Sequence, residues 1–329
     1  MKKAGIIGIG SYVPDKVLSN FDLEKMVDTS DEWIKTRTGI SFRRIGPENA
    51  CTSDLGVEAA KRALENAKLS PEDVDLIIVA SASPDMIFPS TACIIQSKIG
   101  AVNAAAFDIQ AGCTGFVYAL TSAVQFIGTG LYKNILVIGA EMLSRITDWK
   151  DRNTCVLFGD GAGAAVVSEV EEGGILSSVL GADGTGADLL ALPAGGSKEP
   201  ANPDTITNRR HYINMNGNEV FKFAVRILEE AARKAAEKAN LTIEDVDFII
   251  PHQANIRIID AAIKRLKFPR EQVVVNLDKY GNMSSASIPV ALDEAYRDKK
   301  IKKGDKLILV GFGAGLTWGA NLLEWNLED

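Results

Sequence analysis

Two stretches of this chain repeat each other, and this repeat constrains the fold more than any other feature of the sequence. The segment 69–78 (LSPEDVDLII) is nearly matched by the later segment 241–250 (LTIEDVDFII). The same offset brings the apolar run 135–139 (ILVIG) onto 307–311 (LILVG). Because two separate matches share one register, we infer that the chain contains two copies of one structural unit.

Both copies predict helices that alternate with strands. Each begins with an Ala-rich helix, Leu55–Lys68 in the first and Val220–Asn240 in the second, and an apolar run follows. Such runs, bounded by turns, are typical of strands buried on both faces of a mostly parallel sheet. We therefore predict two α/β halves, residues 1–172 and 173–329, with helices between and outside their sheets. The polar segment 194–210 is expected to be a surface insertion.

The composition favours a folded globular chain and excludes several classes of function. Of the 329 residues, 46% are hydrophobic and 24% are charged, which are ordinary proportions for a globular protein. The formal net charge of -7 gives no overall attraction to nucleic acid or to an anionic membrane. No apolar stretch approaches the roughly 18 residues that span a bilayer. We expect a cytoplasmic protein that binds neither nucleic acid nor membrane.

Cys113 is the strongest candidate for a catalytic side chain. The segment 107–116 (FDIQAGCTGF) joins a predicted strand to a predicted helix, and Gly112 and Gly115 permit a sharp bend at the thiol. A helix N-terminus favours a thiolate, so we expect the pKa of Cys113 to be lowered. An inert buried cysteine fits the same pattern, and the turn alone leaves both interpretations open.

The remaining cysteines and the histidines narrow the chemistry further. Cys51, Cys93 and Cys155 lie at no such turn and form no C-x-x-C pair, so we expect them to be structural and predict no metal site. The chain has two histidines, His211 and His252, so any histidine-dependent chemistry has few candidates.

His252 directly follows the strand of the second repeat, at the end of a strand where ligands collect in α/β sheets. The offset between the copies leads from Cys113 into the segment 280–285 (YGNMSS), which carries Asn282. If the halves pack face to face, Cys113, His252 and Asn282 converge on one site. An ordinary turn residue beside Gly281 is the alternative interpretation of Asn282.

A glycine-rich loop, 311–315 (GFGAG), follows the last strand of the second repeat. Its small residues would let backbone N–H groups face a developing oxyanion, together with the N–H group of Cys113. A glycine turn without a ligand is the alternative interpretation.

Together these segments resemble the thiolase-fold condensing enzymes, and closely the β-ketoacyl-acyl-carrier-protein synthase III family, which initiates bacterial type II fatty-acid synthesis. The resemblance covers essentially the whole chain. It rests on the segments 29–34 (TSDEWI), 36–40 (TRTGI), 111–116 (AGCTGF), 158–164 (FGDGAGA), 215–222 (MNGNEVFK), 251–255 (PHQAN), 281–282 (GN) and 312–319 (FGAGLTWG). The fold of that family is the five-layered αβαβα thiolase fold, which agrees with the duplication.

The resemblance also implies roles for individual residues. Cys113 matches the acyl-accepting nucleophile, while His252 and Asn282 match the pair that assists decarboxylation. The N–H groups of Cys113 and Ala314 would hold the tetrahedral oxygen. Ala314 departs from the glycine that is common in the family, which leaves a backbone donor but changes the shape of the pocket.

Further contacts follow from the same resemblance. The residues that would bind coenzyme A (CoA) are Thr29, Trp33, Arg37, Arg152, Phe221 and Asn255. The acyl pocket would be formed by Phe88, Leu190 and Phe312. Of these, Phe88 would close the pocket of the partner subunit in a homodimer. The basic surface that would dock the acidic acyl carrier protein consists of Lys222, Arg257, Lys264 and Arg265.

The implied reaction is a decarboxylative Claisen condensation between an acyl-CoA primer and malonyl-acyl-carrier-protein, without a metal or redox cofactor. Thiolases use a second cysteine and elongating synthases a second histidine, whereas this chain has Asn282 at that place. Two alternatives stay open: a polyketide starter enzyme with the same three residues, and a catalytically silent acyl-binding homologue. The length and branching of the primer are open as well.

Overall fold

The structure is a computed structural model that describes residues 2–328, and it alternates helices and strands along both halves of the chain. The strands of the first half are β1 (Ala4–Tyr12), β2 (Val17–Ser19), β3 (Phe42–Arg44), β4 (Leu76–Ala80), β5 (Ala105–Ile109), β6 (Asn134–Met142) and β7 (Asp160–Glu169). Its helices are α1 (Asn20–Leu23), α2 (Asp31–Thr38), α3 (Thr52–Ala67), α4 (Thr91–Ile99), α5 (Gly115–Thr129) and α6 (Arg152–Cys155).

The second half follows the same alternation. Its strands are β8 (Gly174–Ala182), β9 (Leu190–Ala191), β10 (Asn214–Met215), β11 (Phe248–Pro251), β12 (Lys306–Gly313) and β13 (Thr317–Glu324). Its helices are α7 (Pro203–Thr207), α8 (Gly217–Lys238), α9 (Ile256–Leu266), α10 (Leu277–Tyr280) and α11 (Ser287–Arg297).

The two main sheets have corresponding strand orders. The first is β1-β7-β6-β4-β5 and the second, read from the matching edge, is β8-β13-β12-β11, with a single parallel bridge from Val273 to Ile249 in place of a fifth strand. Strand β4 pairs in parallel with β5 and β6, and β11 pairs in parallel with β12, whereas the other pairs in these sheets are antiparallel. The sheets are therefore mixed, with less parallel pairing than the apolar runs predicted. Antiparallel strands that are covered on both faces show the same unbroken apolar pattern.

Five layers result from the packing of these elements. Helices α5 and α11 lie between the sheets, where Phe116 and Leu120 share one buried cluster with Ile288, Leu292 and residues of both sheets. Helices α3 and α4 cover the outer face of the first sheet, and α8 and α9 cover the outer face of the second. The predicted αβαβα thiolase-like fold is confirmed. Within residues 2–328, no helix combines the length and the apolar character that crossing a membrane requires.

The predicted helices shift slightly at their ends because polar residues extend them beyond the apolar pattern. Helix α8 begins earlier than expected, at Gly217, because the Asn216 side chain accepts a hydrogen bond from the N–H group of Glu219. Most residues of the segment 194–210 are exposed or half-buried, and it contains the short helix α7.

The turn that carries Cys113 has a counterpart in the second half. A 3-10 turn at Gly112–Thr114 leads directly into α5, and a 3-10 turn at Ser284–Ala286, the matching place in the second copy, leads directly into α11. The first residue of each turn has a left-handed backbone, with φ of 52° at Gly112 and 44° at Ser284. The two turns contact each other between the sheets. We call them the two nucleophile-type turns, because one carries Cys113 and the other is its counterpart in the repeat.

Candidate active site

A cavity of about 970 Å³ brings together the three residues that the sequence predicted to be catalytic. Cys113, His252 and Asn282 all line it and are all buried. The lining also includes the exposed side chains of Arg37 and Lys222. The cavity therefore connects a buried polar site with the surface of the protein.

The end of strand β12 packs directly against the backbone of Cys113. A Cβ atom on Gly313 would lie 2.5 Å from the backbone nitrogen of Cys113 and 3.2 Å from its Cα atom. A glycine is therefore required at 313 for this close approach. The duplication thus places the candidate nucleophile of the first half against a strand end of the second half.

Burial determines the resting state of the Cys113 thiol. Withdrawal from water is the main cause that raises its pKa to about 12, and the negative charge of Glu141 acts in the same direction, although the Ser284 side chain and the N–H group of Cys113 oppose both. The prediction of a lowered pKa was therefore wrong for this thiol, because desolvation outweighs the helix N-terminus. The resting thiol is neutral at physiological pH.

His252 is held at the end of β11 as a neutral imidazole. Its backbone N–H group donates to the carbonyl oxygen of Val310 at 2.8 Å, and its ring meets the ring of Phe312 edge-on, with 5.6 Å between centroids. Burial lowers its pKa to about 3. Its Nδ1 atom has no hydrogen-bond partner among residues 2–328. A neutral ring of this kind can donate one hydrogen bond into the cavity.

Asn282 presents its amide N–H₂ group to the cavity, because its amide oxygen is already used. The Oδ1 atom accepts a hydrogen bond from the backbone N–H group of Ser284 at 2.8 Å. The backbone N–H group of Asn282 donates to the carbonyl oxygen of Leu157 at 2.9 Å, and Gly281 before it has a left-handed φ of 69°. The turn therefore orients Asn282 as a hydrogen-bond donor.

The two candidate oxyanion donors lie on adjoining loops that one hydroxyl connects. A Cβ atom on Gly112 would lie 2.9 Å from the backbone nitrogen of Ala314. The Thr317 hydroxyl lies 2.9 Å from the carbonyl oxygen of Ala111 and 3.0 Å from that of Ala314. Its one proton can go to either carbonyl oxygen, so the Thr317 hydroxyl links the turn that carries Cys113 with the glycine-rich loop, and sequence reasoning did not single it out.

Cations surround Trp33 at the open end of the cavity. The guanidinium carbons of Arg37 and Arg152 lie 5.9 and 5.0 Å from the centre of its ring. The Asn255 side chain donates to the carbonyl oxygen of Arg37 at 3.0 Å, which ties α9 to α2. An aromatic ring flanked by two guanidinium groups suits a ligand that carries both a flat ring and phosphates.

The other predicted residues divide between the cavity lining and its surroundings. Those that line it are Trp33, Arg37, Leu190, Phe221, Lys222, Asn255, Arg257 and Phe312. Those that do not are Thr29, Phe88, Arg152, Lys264, Arg265 and Ala314. Phe88 is 82% exposed in this single chain, so it contributes nothing to the chain's own cavity.

The predicted basic surface lies beside the open end of the cavity. Arg257, Lys264 and Arg265 are exposed on α9, and Lys222 lies on α8 with most of its side chain in solvent. Arg265 bonds to Glu229 at 2.6 Å and Lys222 to an acidic neighbour on its own helix, so these two charges are partly neutralised. Arg257 stacks over the ring of Phe221 with 5.8 Å to the centroid.

Comparisons with known proteins find matches in both halves of the chain. Residues 107–184 match the family model described as 3-oxoacyl-[acyl-carrier-protein (ACP)] synthase III, and residues 236–325 match the model for the C-terminal part of that family. The chain is 63% identical to beta-ketoacyl-[acyl-carrier-protein] synthase III of Caldanaerobacter subterraneus subsp. tengcongensis, over 98% of each chain.

Solved structures give the same result. The crystal structure of 3-oxoacyl-[acyl-carrier-protein] synthase III from Aquifex aeolicus superposes with a TM-score of 0.91 at 51% identity, covering 98% of this chain and 100% of that one. The priming β-ketosynthase of the R1128 polyketide biosynthetic pathway superposes with a TM-score of 0.93 at 36% identity, covering 100% and 98%.

Proposed function

Because this chain belongs to the 3-oxoacyl-[acyl-carrier-protein] synthase III family of acyltransferases, we propose that it starts fatty-acid synthesis through an acyl group carried on Cys113. The reaction is a decarboxylative Claisen condensation between a short acyl-CoA primer and malonyl-acyl-carrier-protein. The observation that carries the assignment of residues is the shared cavity, where a buried thiol lies with two neutral hydrogen-bond donors, His252 and Asn282.

In the first stage, the sulphur of Cys113 attacks the thioester carbonyl of the primer. The Cys113–acyl bond forms, the bond to the CoA sulphur breaks, and the proton of the thiol leaves on CoA. The N–H groups of Cys113 and Ala314 stabilise the tetrahedral oxygen, since Gly112 and Gly313 bring these two loops together.

In the second stage, malonyl-acyl-carrier-protein enters the emptied cavity. His252 and Asn282 donate hydrogen bonds to its thioester carbonyl while carbon dioxide departs and an enolate forms. The enolate carbon attacks the acyl carbon, and the Cys113 sulphur leaves and takes up a proton from solvent, because its own proton left on CoA. A neutral imidazole suits this step, because it keeps an N–H group for donation and no positive charge is buried.

The surroundings of the cavity suit these two substrates. Trp33 with its two arginines would hold the adenine and phosphates of CoA, and the exposed cations of α9 would attract an acidic carrier protein. The exposed Phe88 would enter the acyl pocket of a second chain in a homodimer, where it would set the length of the primer together with Leu190 and Phe312.

A polyketide priming role fits the same fold and the same three residues. Sequence identity favours the first possibility, because beta-ketoacyl-[acyl-carrier-protein] synthase III of Caldanaerobacter is 63% identical to this chain, whereas the polyketide priming enzyme is 36% identical. We therefore favour the initiation of fatty-acid synthesis.

Intact-protein mass spectrometry tests the proposal. Wild type and Cys113→Ala are incubated with a panel of acyl-CoA primers, and we expect one or a few primers to add a single acyl mass to wild type alone. Labelling of both proteins would overturn the assignment of Cys113. No labelling at all would favour a silent acyl-binding homologue.

A further inference from the structure

Glu141, near the end of β6, is a completely buried carboxylate without a cation. Its side chain has no exposed surface, and no salt bridge joins it to any lysine, arginine or histidine of residues 2–328. The reaction proposed above does not involve the Glu141 side chain. A buried charge is costly, so its retention requires a set of compensating donors.

Those donors come from both halves of the chain. From the first half, the N–H groups of Ala82 and Ser83 donate at 3.1 Å, and the Ser83 hydroxyl donates at 2.5 Å. From the second half, the Ser285 N–H group donates at 3.3 Å, and the Ser285 hydroxyl lies 2.7 Å from the carboxyl group and 2.8 Å from the carbonyl oxygen of Ala80, so that its one proton can go to either. Burial holds the pKa of the Glu141 carboxyl above its ordinary value, and these hydrogen bonds oppose that effect. Because the backbone N–H groups can only donate, they favour the ionised form.

The duplication explains where Glu141 lies. The repeat aligns Cys113 with Ser285, and in the same register it aligns Glu141 with Gly313. Just as Gly313 lies against Cys113, Glu141 lies against Ser285. Glu141 therefore occupies the counterpart of the active site, and its carboxylate accepts from the counterpart of the Cys113 N–H group.

From this arrangement we infer that Glu141 is a positioning residue that holds the Asn282–Ser285 turn against Cys113. The connection is short. Glu141 fixes Ser285, the preceding Ser284 takes up its left-handed backbone, and the Ser284 N–H group bonds to the Asn282 amide oxygen. The direction of the Asn282 N–H₂ group in the cavity thus depends on a carboxylate that never contacts substrate.

The charge of Glu141 also acts on the thiol of Cys113, where its effect is unfavourable, whereas its effect on the turn of Asn282 is supporting. A negative charge nearby disfavours a thiolate, and Glu141 raises the pKa of Cys113 in addition to the larger effect of burial. Removal of the charge should therefore make the thiol more reactive while it weakens the Asn282-dependent stage. A purely structural residue would not separate the two stages in this way.

The test uses Glu141→Gln in a Cys51→Ser/Cys93→Ser background, because those two cysteines are exposed and would also react. Alkylation of Cys113 by iodoacetamide is followed across pH by peptide mass spectrometry. We expect the rate at neutral pH to rise by a few fold, because a nearby negative charge raises the thiol pKa and its removal favours the reactive thiolate.

The second measurement is a single turnover. Acyl-enzyme is formed first with the primer, malonyl-acyl-carrier-protein is added, and loss of the acyl mass is timed. We expect this loss to slow at least tenfold in Glu141→Gln, while acylation by the primer is not slowed, since a displaced donor typically costs on the order of 1.4 kcal/mol or more.

Ser285→Ala is the matched variant that keeps the charge. It should slow the second stage without accelerating alkylation, and it remains informative if Glu141→Gln does not fold. Unchanged second-stage rates in either folded variant, or slower alkylation in Glu141→Gln, would overturn the inference. The part of the inference that concerns the second stage rests on the proposed function. If wild type fails to accept any primer, the proposed function is contradicted, but the alkylation rates still test the effect of Glu141 on Cys113.

Discussion

Gly313 lies so close to Cys113 that a methyl group on it would come within 2.5 Å of the Cys113 backbone nitrogen. Neither backbone can move freely, because one belongs to strand β12 and the other to the turn before α5. The approach brings together the loops that supply both proposed oxyanion donors. This contact is the basis of the first prediction.

Gly313→Ala should slow acylation of Cys113 by about 100-fold, because loss of one oxyanion donor typically costs that much or more. Single-turnover acylation with the preferred primer measures the effect. Gly184→Ala is the control, since a Cβ atom there meets nothing within 4 Å and should leave acylation unchanged. Equal acylation in both variants would show that the close approach is not needed.

Thr317→Val should slow acylation about tenfold, because it removes the hydroxyl that bridges the carbonyl groups of Ala111 and Ala314 while keeping the shape of the side chain. Thr317→Ser retains the hydroxyl and should restore most of the rate. If the serine variant is as slow as the valine variant, packing of the methyl group matters and the hydrogen bonds do not.

Ser284→Ala should slow alkylation of Cys113 at neutral pH by a few fold. The Ser284 side chain favours the thiolate, and its buried hydroxyl has no hydrogen-bond partner within residues 2–328 that would hold it elsewhere. Ser177→Ala removes another buried hydroxyl, bonded to Ala235 beside the second sheet, and should leave the rate unchanged. The effect is opposite in sign to that of Glu141→Gln, so the pair tests the electrostatics in both directions.

His252 should make the protein less stable as the solution becomes acidic. Its pKa is about 3 when folded and near 6.5 in the unfolded chain, so between these values the unfolded chain alone binds the proton. As the pH is lowered below 6.5, the free energy of unfolding should therefore decrease, by up to about 1.4 kcal/mol for each pH unit.

Urea unfolding of wild type and His252→Gln at matched protein concentration measures this contribution. The difference between the two should shrink as the pH is lowered from 7 to 4, because the glutamine variant lacks the titrating group. A constant difference would mean that the imidazole has the same pKa in the folded and unfolded chain, and would contradict the neutral donor proposed for decarboxylation.

Much of the fold was predictable because duplication leaves a signal in the sequence. The single register shared by both matches required two similar sheets, and it led from Cys113 to the turn that carries Asn282. The convergence of Cys113, His252 and Asn282 on one cavity follows from the same reasoning. The proportion of parallel strands was overestimated, because apolar runs report burial and carry no information on strand direction.

The electrostatics of the site could not be predicted from the same patterns. A helix N-terminus is visible in the sequence, but the depth at which Cys113 is buried is not, and burial dominates its pKa. Thr317 and Glu141 were missed because their importance depends on contacts between segments far apart in the chain. The repeat itself contained one signal for Glu141, since it pairs this residue with Gly313.

The carboxylate of Glu141 also bears on stoichiometry. A duplicated chain with two nucleophile-type turns could in principle accept two acyl groups, one on each. The second turn contains Ser285, whose hydroxyl lies 2.7 Å from Glu141 and 2.8 Å from the carbonyl oxygen of Ala80, with no exposed space left for an acyl ester. The proposed function therefore implies a single acyl group for each chain, with one turn as the loading position and the other as the support inferred for it.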